Sequence, residues 1–340
     1  MTEISPASWL THLYGKTETQ LLTSETTPEP LHGISAGVFN TWTIKQLTEQ
    51  VASVGNETTS WPLFVIHVRQ HGGGVSDNRL FDTSSLQVNA VLTLPRPLFQ
   101  VASNFNAQEN GSESTNLYDG EYLTDLMSDE TQGPAASAGA GAGAVARLWQ
   151  HQQRQINLLE HVDGLETSNG KLVRVEPQKR FGLADAQQVA IGLHVDVSAC
   201  FERAARGQCR FLSSAPLIDQ VFTSTVCMPL FKKRDQARAK EAAKMLLTCA
   251  YDGTYMAALA RQSVTLVLTL IGGGVFRNDM RDIIDALCAA HATYGGRGSL
   301  KTVLLPLYES HENASVTATM VQQALFRAGV PAETIKIRLC

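Results

Sequence analysis

Residues 267–279 read VLTLIGGGVFRND. Val267, Leu268, Leu270 and Ile271 form an apolar run of strand length, and Gly272, Gly273 and Gly274 then remove every Cβ from the turn. Met280 to Ala290 carries helical spacing, so the stretch reads as strand, glycine turn and new helix. Backbone amides at such a turn, aimed by a helix N-terminus, make an anion site that fits a phosphate. A tight strand-to-helix connection without a ligand satisfies the same residues.

Working outward, the end of the chain alternates: strand 264–271, helix 279–292, strand 301–306, helix 313–328, strand 335–339. Upstream, strands are expected at 189–197 and 219–226, followed by a long helix at 234–261 in which Gly253 allows close approach or a break. Lys232, Lys233, Arg234, Arg238, Lys240 and Lys244 crowd its start as a solvated face. Asn157 to His161, the pair Asn169-Gly170 and Leu172 to Val175 read as a hairpin. Helices at 6–14 and 43–54 flank the Thr/Pro/Glu-rich 23–30, and Trp61-Pro62 introduces a strand at 63–69 that runs into the glycines 72–74. Residues 107–131 are polar and acidic, with a short helix at 122–127. The whole predicts a mostly parallel α/β sheet covered by helices on both faces, with ligands at the carboxyl ends of its strands. Residues 1–60 form an N-terminal helical elaboration and 61–340 the main domain.

Two further segments bear on ligand chemistry. In Thr131-Gln132-Gly133-Pro134-Ala135-Ala136-Ser137 and the following 138–144, Gly139, Gly141 and Gly143 alternate with alanine. Val145, Leu148, Trp149 and Gln152 then resume helical spacing, so the small residues read as a loop feeding a helix, or as close packing through small side chains. Nearer the start, Pro97 to Ala102 reads as a strand ending in Ser103-Asn104-Phe105-Asn106. Asparagine offers a donor and an acceptor without a charge to desolvate, which suits a sugar hydroxyl, and it equally builds turns.

Taken in order, QVASNFNA, DETQGPAASAGAGAGAVARLW and AAKMLLTCAYDGTYMAAL leading to VTLVLTLIGGGVFRND resemble the macrodomain superfamily, nearer its poly(ADP-ribose) glycohydrolase branch. The similarity runs from about Leu98 onward. It implies a three-layer α/β/α macrodomain-like mixed sheet and a site for ADP-ribose or an ADP-ribosylated protein. By resemblance Asn104 or Asn106 faces the distal ribose, while Gln132, Gly139, Gly141 and Gly143 belong to a first diphosphate loop. Gly272, Gly273, Gly274, Val275 and Phe276 form the second, with Phe276 near the distal ribose. The glycine run followed by Gln-Glu-Glu of that branch is missing, so the acid that would direct water is open among Glu109, Asp129, Glu130, Asp252 and Asp279. The implied activity is ADP-ribosyl glycohydrolysis.

Two other functions share these residues. A non-catalytic ADP-ribose reader uses the same loops. A dinucleotide-binding oxidoreductase would read Gly139 to Ala144 as G-x-G-x-x-A with Glu160 about 20 residues on. That fingerprint needs a strand directly before its first glycine, where 129–137 is polar and holds Pro134.

Composition narrows the field further. In 340 residues, 28 basic and 32 acidic side chains leave a formal charge of −4, which disfavours nucleic acid as a partner. No run reaches the roughly 20 apolar residues that span a bilayer, and the first residues lack a basic-then-apolar leader, so an intracellular, cytoplasmic protein without membrane contact is expected. The six cysteines (200, 209, 227, 249, 288 and 340) form no CxxC pair and read as reduced core thiols. With no HExxH motif either, neither a metal nor a cofactor is expected.

Overall fold

The computed structural model describes residues 2–4, 8–54, 60–68, 94–109, 114–123, 141–203, 209–212, 214–307 and 311–339. Its N-terminal part runs β1 (Thr2–Ile4), α1 (Trp9–Tyr14), α2 (Glu18–Leu22), β2 (Val38–Thr43), α3 (Ile44–Val51), β3 (Leu63–Val68) and β4 (Pro97–Ala102). The middle holds α4 (Gly141–Gln153), the hairpin β5 (Leu165–Ser168) and β6 (Lys171–Val175), α5 (Leu183–Gln188), β7 (Ala190–Ser198), β8 (Phe201–Arg203) and β9 (Cys209–Phe211). Then come β10 (Leu217–Thr223), α6 (Gln236–Ala260), β11 (Thr265–Val267), α7 (Met280–Tyr294), β12 (Thr302–Leu307), α8 (His311–Arg327) and β13 (Ile335–Leu339).

One mixed sheet of 8 strands organises these elements, in the order β13-β3-β12-β11-β4-β10-β7-β2. From β13 to β10 every neighbouring pair is parallel, whereas β7 is antiparallel to both β10 and β2. The parallel strands are buried on both faces, which is why β3, β4 and β12 read as continuous apolar runs. Helices cover both sides. On β7, Ile191 meets Gly253 of α6 and His194 meets Gly143 of α4, and residues an odd number apart on a strand point to opposite faces. Thus α6, packed with α3 and α7, forms one layer, and α4, packed with α2, forms the other. The three-layer α/β/α macrodomain-like arrangement is present.

Local chemistry accounts for the element ends. Thr43 caps α3 in a reciprocal capping box with Gln46, and Thr17 does the same for α2 with Gln20. Asn169 and Gly170 both take positive φ (44 and 76), which gives β5 and β6 their two-residue turn. A smaller sheet, β1-β9-β8, joins α1, α2 and α4 around Trp9, Leu13, Phe201 and Leu148 as a second apolar cluster.

Several expectations are corrected. The strand at 264–271 stops at Val267, because the apolar residues beyond it are held by side chains rather than by a ladder. Gly253 does not break α6; its missing Cβ would lie 2.7 Å from Ile191 Cγ2 and 3.1 Å from Ile44 Cδ1, so it serves close approach. Residues 157–161 are turns, and the first arm of the hairpin is β5. Residues 38–51 add an edge strand and a covering helix to the main sheet, so the first 60 residues are not only helical. The glycines 72–74, and all but the first two residues of the expected helix at 122–127, lie outside the described residues.

Candidate functional site

At the centre of the sheet, β4 lies between β11 and β10, all parallel, so the segments leaving their carboxyl ends emerge side by side. These segments are the Asn104–Glu109 turn after β4, Ser224 and Thr225 after β10, and the glycine turn after β11. Open α/β sheets bind ligands along this edge.

The turn after β4 is compact. Asn104 and Asn106 are both buried. Asn104 Nδ2 donates to the Gln108 carbonyl (3.1 Å), and Asn106 Oδ1 accepts from the Gln108 amide (3.1 Å), the side-chain turn that asparagine builds readily. Ala107 takes φ +57 to close it. Two buried amide donors remain without an acceptor among the described residues, Nδ2 of Asn106 and Nε2 of Gln108. A buried donor left unmade costs about 1–3 kcal/mol, so this turn keeps polar capacity in reserve. From outside, the β5–β6 hairpin closes over it: Gly170 accepts from the Phe105 amide at 2.7 Å, and a Cβ at Gly170 would lie 2.4 Å from Asn106 Cγ.

Behind that turn stands Arg147 of α4, 2% exposed, with no carboxylate paired to it among the described residues. Its Nε donates to the Ala107 carbonyl (3.3 Å), NH1 meets His194 Nδ1 (3.0 Å), and the guanidinium lies 3.9 Å over the Phe222 ring. His194 Nε2 contacts the Ala36 carbonyl at 2.8 Å. That carbonyl takes an N–H, which leaves Nδ1 as the acceptor for Arg147. Burial and the neighbouring Arg147 hold His194 well below its usual range, and burial lowers Arg147 to about 9. Gly143 makes room for the His194 ring, since a Cβ there would sit 2.9 Å from its Cε1 and 2.9 Å from Val197 Cγ1, whereas Gly37, at φ +72, is held to glycine first by the Val195 carbonyl, 2.5 Å from where its Cβ would be.

Gly141 and Gly143 therefore occupy the first turn of α4 rather than a loop, and they are buried. A Cβ at Gly141 would meet Trp9 at 2.9 Å, so the small residues serve close packing. Gly139, Gln132, Asp129 and Glu130 lie outside the described residues. Glu160 sits in a turn rather than at a strand end, which removes the acid that a dinucleotide fold needs.

The turn after β11 has a different character. Gly272 takes φ +74, and any Cβ there would lie 2.4 Å from Thr225 Cγ2 and 2.5 Å from Asn278 Nδ2. The Gly273 amide donates to the Leu270 carbonyl (3.1 Å), whereas those of Gly272, Gly274, Val275 and Phe276 donate to nothing among the described residues. Gly274 has open space where a Cβ would be, and Val275 is exposed. At the exit, Asn278 Nδ2 donates to Val226 (2.9 Å) and Gly272 (3.3 Å) carbonyls, and the Phe276 carbonyl accepts from the Met228 amide at 3.0 Å.

The carboxylates divide by surroundings. Asp279 caps α7 through the Arg281 amide (2.9 Å) and so fills the helix terminus that an anion would otherwise use. Asp252 lies mid-helix on α6, close enough to Cys249 and Tyr294 to raise their pKa, and burial pushes its own carboxyl up to about 6. Tyr294 is the last residue of α7, so Asp252 lies toward the far end of that helix from the glycine turn. Glu109 ends the Asn104 turn, its amide donating to Tyr122 Oη at 2.8 Å. Among the described residues, no group of three or more His, Cys, Asp or Glu side chains could hold a metal ion, and no helix is long and apolar enough to cross a membrane. Cys200, Cys227, Cys249 and Cys288 are buried free thiols, as expected.

The fold that carries these segments is known in solved proteins. The poly(ADP-ribose) glycohydrolase of Thermomonospora curvata matches with a TM-score of 0.50 at 14% identity, over 89% of this chain and 90% of its own. The chain shares that glycohydrolase's fold. The poly(ADP-ribose) glycohydrolase of Deinococcus radiodurans, in apo form, aligns at a TM-score of 0.47 and 10% identity, over 86% of this chain and 94% of that one. No protein-family model matches the sequence, and no curated protein matches it.

Sequence reading missed Arg147, Gln100, Tyr251 and Asn278. Tyr251 lies within the quoted AAKMLLTCAYDGTYMAAL, yet a hydroxyl aimed 18 residues ahead leaves no periodic signal.

Proposed function

We propose that this chain binds ADP-ribose, with the diphosphate on the Gly272–Phe276 turn and the distal ribose at the Asn104–Glu109 turn, and hydrolyses the bond joining that ribose to a modified protein. The observation that carries the reading is the set of amides at Gly272, Gly274, Val275 and Phe276, open on a turn next to the buried, partly unsatisfied asparagine turn. Backbone amides suit a diphosphate because they supply fixed donors without a mobile charge. Spare carboxamide donors suit a hydroxyl. The resemblance to a glycohydrolase fold supports the same substrate.

Hydrolysis at the anomeric carbon passes through an oxocarbenium-like state, so a carboxylate must direct water to that carbon as the bond to the protein breaks. Glu109 takes this role in our reading. Asp279 is engaged as a helix cap, and Asp252 sits on the α6–α7 side. The expected partner is therefore an ADP-ribosylated protein. Calorimetric titration of ADP-ribose against NAD and AMP tests binding, and release of ADP-ribose from a modified protein tests hydrolysis. Binding without release from any linkage would leave a reader; no binding would end the proposal.

A further inference from the structure

Beyond Val267 the chain leaves its ladder, although the next residues remain buried. Leu268 still donates to the Leu304 carbonyl at 2.8 Å, and side chains then replace strands. The Thr269 amide donates to Gln100 Oε1 (3.2 Å), whose Nε2 donates to Thr254 Oγ1 (3.0 Å) on α6. One hydroxyl completes the segment: Tyr251 Oη donates to the Thr269 carbonyl (2.9 Å) and accepts from the Ile271 amide (3.1 Å). Tyr251 and Gln100 are fully buried. The residue after Ile271 is Gly272, where the open amides begin.

We infer that Tyr251, with Gln100, is a positioning residue for the diphosphate turn: it fixes the two peptides that enter the turn and so aims the amides of Gly272–Phe276. The inference rests on the proposed ADP-ribose reading for its ligand, but the clamp acts on the turn itself. Donors preorganised for an anion bind it without reordering, whereas a turn hinged at Thr269 must be ordered on binding. A hydroxyl donates and accepts at once and ties both groups to α6; a phenyl ring leaves the Thr269 carbonyl and the Ile271 amide only the 3.1 Å hydrogen bond between them, with no tether to the helix. The exit is held separately by Asn278, so loss of Tyr251 loosens the turn without releasing it.

The test compares Tyr251→Phe with Tyr255→Phe. Tyr255 is equally buried on the same helix, and its hydroxyl meets His291 Nδ1 at 2.9 Å. Both variants lose one buried hydroxyl, so both lower the melting temperature. Only Tyr251→Phe should speed hydrogen exchange at the hydrogen-bonded amides of Ile271 and Gly273 and weaken ADP and ADP-ribose by on the order of ten-fold, with adenosine binding unchanged. Should Tyr251→Phe not fold, Gln100→Met removes the other half of the clamp and is read the same way. Exchange at Ile271 and Gly273 that is the same in both variants overturns the inference. Faster exchange in a protein whose unmutated form binds no ADP-ribose would keep the clamp and remove the ligand assigned to it.

Discussion

The Gln108 amide donates to Asn106 Oδ1 at 3.1 Å, while Asn106 Nδ2, on the same carboxamide, has no acceptor among the described residues. Half of this side chain builds its own turn and half is left for something else. Asn106→Ala should therefore do two things. Loss of the turn bond should cost about 0.5–1.5 kcal/mol of stability. Loss of the donor should weaken ADP-ribose, whereas ADP, which lacks the distal ribose, binds as before. Equal weakening of both ligands, or a lower melting temperature alone, would make Asn106 a turn former and move attention to Asn104.

In the glycine turn, position 273 discriminates best. A Cβ there would meet the Leu270 carbonyl and Met280 Cε at 3.3 Å each, close but not prohibitive. Gly273→Val should fold and weaken ADP-ribose by about ten-fold or more, a loss above about 1.4 kcal/mol. An unchanged calorimetric affinity in folded protein would take the diphosphate off this turn. Gly272→Ala should fail for a different reason, since its left-handed φ and its contact with Thr225 disfavour any side chain.

Glu109→Gln separates binding from chemistry. Removing the charge while keeping the shape should abolish release of ADP-ribose from a modified protein and leave its affinity nearly intact, because the lost interaction acts in the transition state. Retained turnover would shift the role to Asp129 or Glu130, and parallel single-turnover assays of those two variants would decide between them.

Asp252 predicts a pH dependence. Its carboxyl is pushed by burial from 3.8 to about 6, so between those values the folded state holds a proton that the unfolded state has lost. Stability from this group is therefore highest at low pH and falls as pH rises from about 4 to about 6, then levels off. Asp252→Asn should flatten that slope and raise the melting temperature at pH 7.5 more than at pH 4. An equal rise at both would show that the charge is not the cause.

Much of the fold could be read from residues. Helix 313–328 and strands 301–306 and 335–339 lie within two residues of α8, β12 and β13, because both-face burial and amphipathic spacing write themselves plainly. β2 escaped notice: on this edge strand only Phe39 is buried, so no run of apolar residues marks it. The apolar 268–271 suggested more strand than exists, since composition reports burial and not who supplies the hydrogen bonds. For the site, the chemistry of asparagine and glycine pointed to segments that the sheet brings together at the carboxyl ends of β4 and β11. Gly141 and Gly143 misled because a glycine spared for a ligand and one spared for a neighbouring ring look alike until the ring is placed.

That ring has a consequence for how the sequence can drift. His194 packs its Cε1 where a Cβ at Gly143 would lie, although the two residues are 51 positions apart in the chain (194 less 143). A side chain gained at Gly143 needs volume given up at 194 and at Val197, whose Cγ1 lies equally near, and a smaller residue at 194 would leave Arg147 NH1 without its acceptor. These four positions form one heritable unit: substitutions among them should appear together in descendants of this gene or not at all, and a library that randomises them jointly should recover folded combinations that no single change can reach.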